Sequence, residues 1–227
     1  MSVNGINGRD SSPEDIRSAI RQMRRSYGEV GLVDLNPDPI AQFSQWLAEA
    51  SANPMVVEAN AMVLSTSRDE EISSRTVLLK DVTNAGFTFF TNYESQKAQE
   101  IATHSQVSLL FPWYPMERQV IVKGHAYKVS DAESDEYFAS RPWGSQIGAW
   151  ASSQSRELSH RDDLEARYAE FSEKYPEGNL VPRPPHWGGY LVQPTTIELW
   201  QGRYSRLHDR ARYNATNGGW SIQRLYP

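Results

Sequence analysis

The sequence predicts an α+β fold, mainly antiparallel, in which a barrel or curled sheet carries a few helices at its periphery. The main observation is a series of short β-branched and aromatic runs separated by turn residues, a pattern typical of successive strands. These runs lie at 61–67, 73–80, 86–92, 107–113, 118–130, 190–202, 206–214 and 219–227. Helical patterns are fewer, and they lie at 13–28, 38–51, 94–105, 131–142 and 159–178. The chain contains neither internal repeats nor a low-complexity segment.

The helical segments carry start and stop signals. Ser12 is placed to cap the first, with Pro13 in its first turn and Asp15 three residues on. The second has an apolar stripe that we expect to pack against another surface, formed by Ile40, Phe43, Trp46 and Leu47. Ser95 is the expected cap of the third, and the fourth should stop before Pro142. The fifth is very polar and leads into a proline-rich connector.

Length and composition suit one domain with an appendage. The chain has 227 residues, of which 39% are hydrophobic and 11% aromatic, enough for a sizeable core. Residues 1–34 are charged and polar, and we expect a mobile arm that contains the first helix. Residues 35–227 are expected to form the single domain.

Several functional classes are disfavoured. The net charge of -5 argues against a nucleic-acid binder that acts by neutralising phosphates. There is no cysteine, and the five histidines lack metal-ligand spacing, so we expect no bound metal. GxGxxG and Walker A motifs are absent, which argues against a Rossmann dehydrogenase. The polar start lacks a secretory signal and no apolar run reaches a membrane span, so a cytoplasmic protein is expected.

Two segments suit the binding of phosphate groups. Lys97 lies in the first turn of a predicted helix, where the helix dipole disfavours a cation by about 0.3–1 kcal/mol unless an anion binds there. Tyr137 and Arg141 are four residues apart on one face of another helix, and Ser145 follows that helix. Each feature is equally compatible with exposed surface side chains. Taken together, they favour two separate phosphate sites.

Two further cationic features remain open from the residues alone. Arg75 and Lys80 are at opposite ends of a predicted strand, and their parity places them on opposite faces. Either one of them lies on the sheet surface while the other reaches a neighbouring pocket, or both only mark the strand ends. The stretch from Gln201 to Arg210, read as a strand, puts three such groups on one face, Arg206, His208 and Arg210. A solvated edge strand is the alternative, but the neighbouring Trp200 favours a site.

Seven motifs occur in an order and spacing that identify a family resemblance. They are "RTVLLK", "FFTNYESQKAQEI", "VSLLFPWY", "ERQVIVKG", "SRPWGSQIGAWASSQS", "HWGGYLV" and "ELWQGRYSRLHDR". From about Arg24 onward the chain resembles the pyridoxamine 5′-phosphate oxidase family. The resemblance implies a split β-barrel that binds FMN in clefts between the two subunits of a homodimer. It also implies that FMN takes a hydride equivalent from C4′ of pyridoxamine or pyridoxine 5′-phosphate, and that O2 reoxidises the flavin and yields H2O2.

The same resemblance implies the site residues, position by position. FMN contacts are Arg75, Thr76, Val77, Leu78, Leu79, Lys80, Phe90, Thr91, Ser95, Gln96, Lys97, Gln119, Gln154, Ser155, Trp200 and Arg210. The last five are expected from elsewhere in the dimer. Substrate contacts are Lys80, Tyr137, Arg141, Ser145, Arg206, Leu207 and His208, with Arg24 and Tyr27 in an N-terminal lid. Arg206 and His208 are the implied catalytic pair, one stabilising charge that develops at the ring and the other suited to moving a proton.

One departure and several alternatives accompany this interpretation. Gln96 stands where the family usually has an arginine near the FMN phosphate, so a hydrogen-bond donor remains but a charge is lost. One alternative is another flavin or deazaflavin split-barrel reductase, against which "RLHDR" and "SRPWGS" argue. A second is a non-catalytic pyridoxal phosphate-binding protein, which peroxide production would distinguish. A third, an oligonucleotide-binding barrel, is disfavoured by the net charge.

Overall fold

The structure, a computed structural model, describes residues 12–23 and 26–227. Within these ranges the chain forms nine strands and six α-helices. The strands are β1 (Ala61–Arg68), β2 (Glu71–Leu78), β3 (Asp81–Thr83), β4 (Gly86–Asn92), β5 (Gln106–Trp113), β6 (Arg118–Lys128), β7 (Trp187–Gln201), β8 (Asp209–Thr216) and β9 (Gly219–Leu225). The helices are α1 (Pro13–Gln22), α2 (Pro39–Ala52), α3 (Gln96–Thr103), α4 (Asp131–Ser140), α5 (Trp143–Ala151) and α6 (Arg161–Lys174).

All strand pairs are antiparallel, which confirms the predicted fold class. The strands follow the order β2-β1-β5-β6-β7-β4-β3, with β8 and then β9 added beside β7. The long strand β7 pairs with β6 on one edge, and its other edge is divided between β4 and β8. The β6–β7 register shifts between Lys123 and Gly124, where a Cβ on Gly124 would lie 2.1 Å from the carbonyl oxygen of Gln193. Such a bulge increases local twist and helps the sheet to curl.

The main core lies between the curled sheet and helix α2. Asp38 caps α2 by accepting a hydrogen bond from the Ile40 N–H at 2.9 Å. The predicted apolar stripe then enters the core, and the ring of Phe43 lies 4.9 Å from Phe87 and 4.8 Å from Phe111, edge to face. Leu47 is partly buried at its margin. Alternating burial along β1 and β5 follows the two-residue period of a strand.

A smaller core joins α4, α5 and α6 to the start of β7. Its buried members are Phe138, Ile147, Val181 and Trp187. Helix α6 packs on α5 through the stacked rings of Trp150 and Phe171, 5.4 Å apart. Helix α5 was not among the predicted helices, because its sequence is short, contains two glycines, and lacks a capping side chain. It matters for function because Ser145, predicted to follow a helix, lies within it.

The structure contradicts the predicted strand at residues 206–208. Residues Tyr204–Arg206 form a 3-10 turn, with positive φ at Ser205 (55°) and Arg206 (62°), and β8 begins only at Asp209. The alternation rule therefore does not relate Arg206 and His208 to Arg210. Positive φ at two consecutive non-glycine residues is uncommon, and strand parity gives no warning of it.

Residues 26–34 are attached to the barrel by hydrogen bonds from backbone N–H groups to carboxylate side chains. The Gly28 N–H donates to Glu117 Oε2 at 2.9 Å, and the Leu32 N–H donates to Asp209 Oδ2 at 2.9 Å. The capping box of Ser12 and Asp15 confirms the predicted start of α1. Arg24, predicted in the lid, lies outside the described residues, and the division of the chain at residue 34 stays a prediction. No helix of the described ranges is long and apolar enough to cross a membrane.

Candidate active site

A cavity of about 940 Å³ opens between β2, β4 and the helices α3 to α5. Most of the predicted FMN and substrate contacts line it, namely Arg75, Thr76, Val77, Leu78, Lys80, Phe90, Thr91, Gln96, Lys97, Tyr137, Arg141, Ser145, Gln154 and Ser155. Four of these residues are cationic, and Arg75 and Lys80 share the cavity although their parity predicted opposite faces. The reason is that β2 ends at Leu78, so strand alternation does not extend to Lys80.

Glu100 of α3 organises one side of the cavity. This carboxylate is 5% exposed and accepts hydrogen bonds from Ser73 Oγ at 2.6 Å and Gln96 Nε2 at 2.8 Å. It also accepts from Thr66 Oγ1 and pairs with Arg75 at 3.3 Å. Burial opposes its charge, but the three hydrogen bonds and the arginine outweigh it and lower the pKa of Glu100 to about 2. Glu100 thus holds Arg75 and Gln96 in place at the cavity wall.

Lys97 is a buried cation with its own hydrogen-bond partners. Its Nζ donates to Gln154 Oε1 at 2.7 Å, Thr91 Oγ1 at 3.1 Å and Ser95 Oγ at 3.2 Å. Burial, followed by repulsion from Arg75, lowers the pKa of Lys97 to about 8. The oxygen partners are all neutral, so the positive charge remains uncompensated by them. An anion in the cavity would stabilise it.

Aromatic rings form the opposite wall. Phe90 stacks on Tyr137 at 4.1 Å and on Trp187 at 5.4 Å. The guanidinium of Arg141 lies 4.7 Å from the Trp187 ring, and the Lys80 ammonium lies 5.9 Å from Tyr137. Burial lowers the pKa of Arg141. Arg141 Nη1 is buried and, within the part of the chain that the structure describes, has no hydrogen-bond partner.

That unpaired donor is suited to an anionic ligand in the cavity, because a buried N–H of a charged group is costly to leave unpaired. Tyr137 and Arg141 meet at the cavity although Arg141 is already outside α4, with an extended backbone. Trp187 was missed among the predicted site residues. The motif "HWGGYLV" contains it, but a tryptophan before two glycines gives no signal of a role in orienting an arginine.

A second group of predicted residues lies outside this cavity. Gln119, Trp200 and Arg210 are register neighbours across β6, β7 and β8, and we call them the Trp200 row. The ring of His208 lies 4.7 Å from Trp200, and the ring of Tyr27 lies 5.7 Å from Trp200. Within one chain, therefore, the predicted site falls into two halves.

The turn before β8 fixes His208. The backbone N–H of Arg203 donates to His208 Nδ1 at 3.0 Å. Because Nδ1 accepts this hydrogen bond, Nε2 is the ring nitrogen that is left to carry a proton. Arg206 and Leu207 are exposed beside it. This arrangement makes His208 a hydrogen-bond donor through Nε2.

Two predicted contacts support the cavity from behind instead of lining it. Leu79 is 5% exposed, belongs to the main core and donates its N–H to the Asn60 carbonyl oxygen at 2.8 Å. Ser95 occupies the N-cap position of α3, but its Oγ donates to the Asn92 carbonyl oxygen at 2.7 Å and caps no helix N–H.

Solved structures of known proteins define the class. PhzG from Burkholderia lata, solved with tetrahydrophenazine-1-carboxylic acid, is 30% identical with a TM-score of 0.81, covering 88% of this chain and all of that one. A pyridoxamine 5′-phosphate oxidase-related, FMN-binding protein from Nostoc punctiforme has a TM-score of 0.65 at 15% identity, covering 86% of this chain and 100% of that one. The chain is therefore a split-barrel protein of the type found among FMN-binding proteins.

The sequence comparisons identify the family. Two sequence-family models match the chain. The family described as "Pyridoxamine 5'-phosphate oxidase" matches residues 48–175, and the family described as "Pyridoxine 5'-phosphate oxidase C-terminal dimerisation region" matches residues 187–227. The chain belongs to the pyridoxamine 5′-phosphate oxidase family. A pyridoxine/pyridoxamine 5′-phosphate oxidase of Cupriavidus necator is 51% identical, covering 92% of this chain and 99% of that protein. A pyridoxine/pyridoxamine 5′-phosphate oxidase of Rubrobacter xylanophilus is 50% identical, covering 95% of this chain and 100% of that protein. The predicted family and oxidoreductase class are thus confirmed.

The Glu100 cluster generates a prediction about acid stability. Because the pKa of Glu100 is lowered from 4.5 to about 2, its contribution to stability is complete above about pH 4.5 and is lost as the pH falls toward 2. That contribution is on the order of 3 kcal/mol. Glu100→Gln should therefore lower the free energy of unfolding clearly at pH 7, and the gap to wild type should narrow by about half at pH 3.

Urea unfolding of both proteins at the two pH values is the measurement. Glu165→Gln is the control, because Glu165 forms an exposed pair on α6 and should change little at either pH. A gap between wild type and Glu100→Gln that is the same at pH 7 and pH 3 would contradict the assignment.

Proposed function

We propose that the protein is an FMN-dependent oxidase that converts pyridoxamine or pyridoxine 5′-phosphate to pyridoxal 5′-phosphate in the cytoplasm. O2 is the acceptor, H2O2 is released, and the amine substrate also yields ammonia. The observation that carries the proposal is the cationic cavity with the orphaned Arg141 Nη1 against Trp187. Relatives of nearly the same length, about half identical, support it by their names.

The residues present fit FMN. Arg75, Lys97 and Gln96 supply two charges and an amide beside the N-terminal turn of α3, a combination suited to a phosphate. When bound, FMN would supply the acceptor for the hydride equivalent from C4′, with O2 as the reactant that would reoxidise it. The protein's part is to orient the reactants, exclude water and stabilise charge. Glu100 and Gln154 fix the cations before any ligand arrives, which lowers the entropic cost of binding.

The substrate phosphate has a separate set of partners. Lys80, Tyr137, Arg141 and Ser145 lie together along the cavity wall, and Arg141 has a donor ready for a phosphate oxygen. Arg206 and His208 are assigned to the pyridine ring. The guanidinium of Arg206 stabilises charge that develops as the C4′ hydrogen leaves. His208 donates through Nε2 while the Arg203 N–H holds its Nδ1.

A second subunit is needed to unite the two halves of the site. Trp187 in the cavity and Trp200 in the row are 13 positions apart on β7, which at about 3.3 Å per residue is roughly 40 Å of strand. One FMN cannot contact both in the same chain. Trp200, Arg206, His208 and Arg210 all lie in the segment matched by the dimerisation model, residues 187–227. We infer a homodimer in which the row of one subunit completes the cavity of the other, with Arg24 and Tyr27 in a lid.

Absorbance spectroscopy tests the proposal. The purified protein should be yellow, and anaerobic pyridoxamine 5′-phosphate should bleach the flavin band because the flavin is reduced. Admitting O2 should restore the colour with release of H2O2 in equal amount. A protein that binds pyridoxal 5′-phosphate without bleaching would be a carrier, and one that is reduced only by other donors would be a different split-barrel reductase. Either result would overturn the proposal.

Three alanine variants separate binding from chemistry. Arg141→Ala should mainly raise KM, because a phosphate keeps its charge between ground and transition states. Arg206→Ala and His208→Ala should lower the limiting rate of flavin reduction, by about 10²–10³ for a preorganised electrostatic contact. Anaerobic stopped-flow reduction across a substrate series measures both quantities. Wild-type limiting rates in Arg206→Ala and His208→Ala would remove both residues from the chemistry.

Mixed dimers test the shared sites. Arg141→Ala changes the cavity, and Arg206→Ala changes the half of the site that contains the Trp200 row. The homodimer of either variant should therefore be nearly inactive at substrate concentrations far below KM. A mixed dimer keeps one intact site, and random mixing should restore about a quarter of wild-type activity. The control mixes Arg141→Ala with Lys80→Ala, which both alter the cavity and should restore nothing. Recovery no greater than the average of the two parents would place each site within one chain.

A further inference from the structure

Glu198 is a buried carboxylate beside the Trp200 row that none of the roles above uses. It lies on β7 directly opposite Arg212 of β8, and two residues before Trp200, which is opposite Arg210. Leu199 and Ala211, at the intervening positions, are fully buried in the core. Glu198 and its two arginines therefore share the strand face that carries the row.

Both arginines bind this one carboxylate with two hydrogen bonds each. Glu198 Oε1 accepts from Arg210 Nε at 2.9 Å and Nη2 at 2.7 Å. Glu198 Oε2 accepts from Arg212 Nε at 3.1 Å and Nη2 at 2.9 Å. The Glu198 side chain is only 8% exposed, whereas the side chains of Arg210 and Arg212 are 30% and 34% exposed. The carboxylate is thus covered by the groups that it binds.

The contacts of Arg210 leave part of its guanidinium available. Its Nη1 donates to the Tyr226 carbonyl oxygen at 3.0 Å, in addition to the two bonds to Glu198. A guanidinium has five N–H donors, so these three bonds leave one N–H on each terminal nitrogen. Because Glu198 and the Tyr226 carbonyl oxygen both bind the guanidinium of Arg210, its orientation is fixed.

We propose that Glu198 is the positioning residue of Arg210, and that it orients the remaining donors of the guanidinium toward FMN bound in the partner subunit's cavity. The inference rests on the proposed function, in which Arg210 contacts FMN. An anion beside a site for an anionic cofactor is unfavourable by charge alone. Stability does not account for the Glu198 carboxylate either, since buried ion pairs contribute little net stability compared with apolar packing. Orienting Arg210 is a role that accounts for its position.

The two explanations predict opposite signs for one measurement. If only charge mattered, Glu198→Gln would remove a negative group and tighten FMN binding. If Glu198 positions Arg210, the same change should weaken FMN binding by about tenfold, because a bidentate charged hydrogen bond is lost. Arg212→Gln removes a cation from the same cluster but leaves the pair of Glu198 and Arg210. It should stay within about threefold of wild type.

A double variant controls for net charge and for folding. Glu198→Gln with Arg212→Gln removes one anion and one cation, so the cluster keeps its net charge and no longer contains two arginines without a carboxylate. Positioning predicts that this protein, like Glu198→Gln, binds FMN about tenfold more weakly. If only net charge mattered, the double variant would bind FMN with the affinity of the wild type. If Glu198→Gln does not fold, the FMN affinity of the double variant distinguishes the two explanations.

Dependence on Arg210 is tested by a double-mutant cycle. In the Arg210→Ala background, adding Glu198→Gln should change FMN affinity by less than about twofold, because the group that it positions is gone. FMN dissociation constants of the full-length apo-proteins come from quenching of flavin fluorescence, with thermal unfolding as a check on folding.

The outcomes separate the two proposals. Wild-type protein that does not bind FMN would overturn the proposed function and this inference with it. Wild-type protein that binds FMN, together with a Glu198→Gln or double variant of equal or higher affinity, would overturn the inference alone. So would an unchanged tenfold effect of Glu198→Gln in the Arg210→Ala background.

Discussion

The hydrogen-bond ladder of β7 is the constraint on which the two halves of the site depend. Its 15 residues pair with β6 on one edge and are divided between β4 and β8 on the other. Because of that division, Trp187 stands beside β4 at the cavity and Trp200 stands beside β8 in the row. A continuous strand holds these positions at a fixed separation that a loop would not maintain. The relative placement of the half-sites is therefore a property of the backbone, and side chains only complete it.

The cations of the cavity are stabilised in three different ways. Arg75 has a carboxylate partner in Glu100, Lys97 has three neutral oxygens, and Arg141 lies against aromatic faces. Only the first of these supplies an opposing charge, so the cavity keeps a positive potential while its groups are already ordered. Gln96 fits this scheme, since its amide is bound to Glu100 at 2.8 Å and adds a donor without further repulsion. A preordered positive cavity favours an anionic ligand over water.

Local sequence patterns predicted the positions of most helices and strands, because capping residues and apolar periodicity act within a few residues. The capping box of Ser12 and the apolar stripe of α2 are examples. What the sequence could not supply were features set by distant contacts. The 3-10 turn at Arg206 depends on positive φ values that non-glycine residues rarely adopt. The site residues were placed by family resemblance, and only the structure separates them into a cavity and a row, because strand pairing decides which of them meet.

The unpaired donor of Arg141 has a consequence for selectivity. A phosphorylated ligand can offer Nη1 a charged phosphate oxygen, whereas a ligand with a free hydroxymethyl group in place of the phosphate ester offers only a neutral and shorter acceptor. Sites built around a polar group of the ligand reject analogues that lack it far more strongly than apolar pockets reject a missing methylene. The cavity would thus discriminate between vitamers by their phosphorylation state. Under the proposed function, an unphosphorylated precursor would have to receive its phosphate group before it could bind well in this cavity.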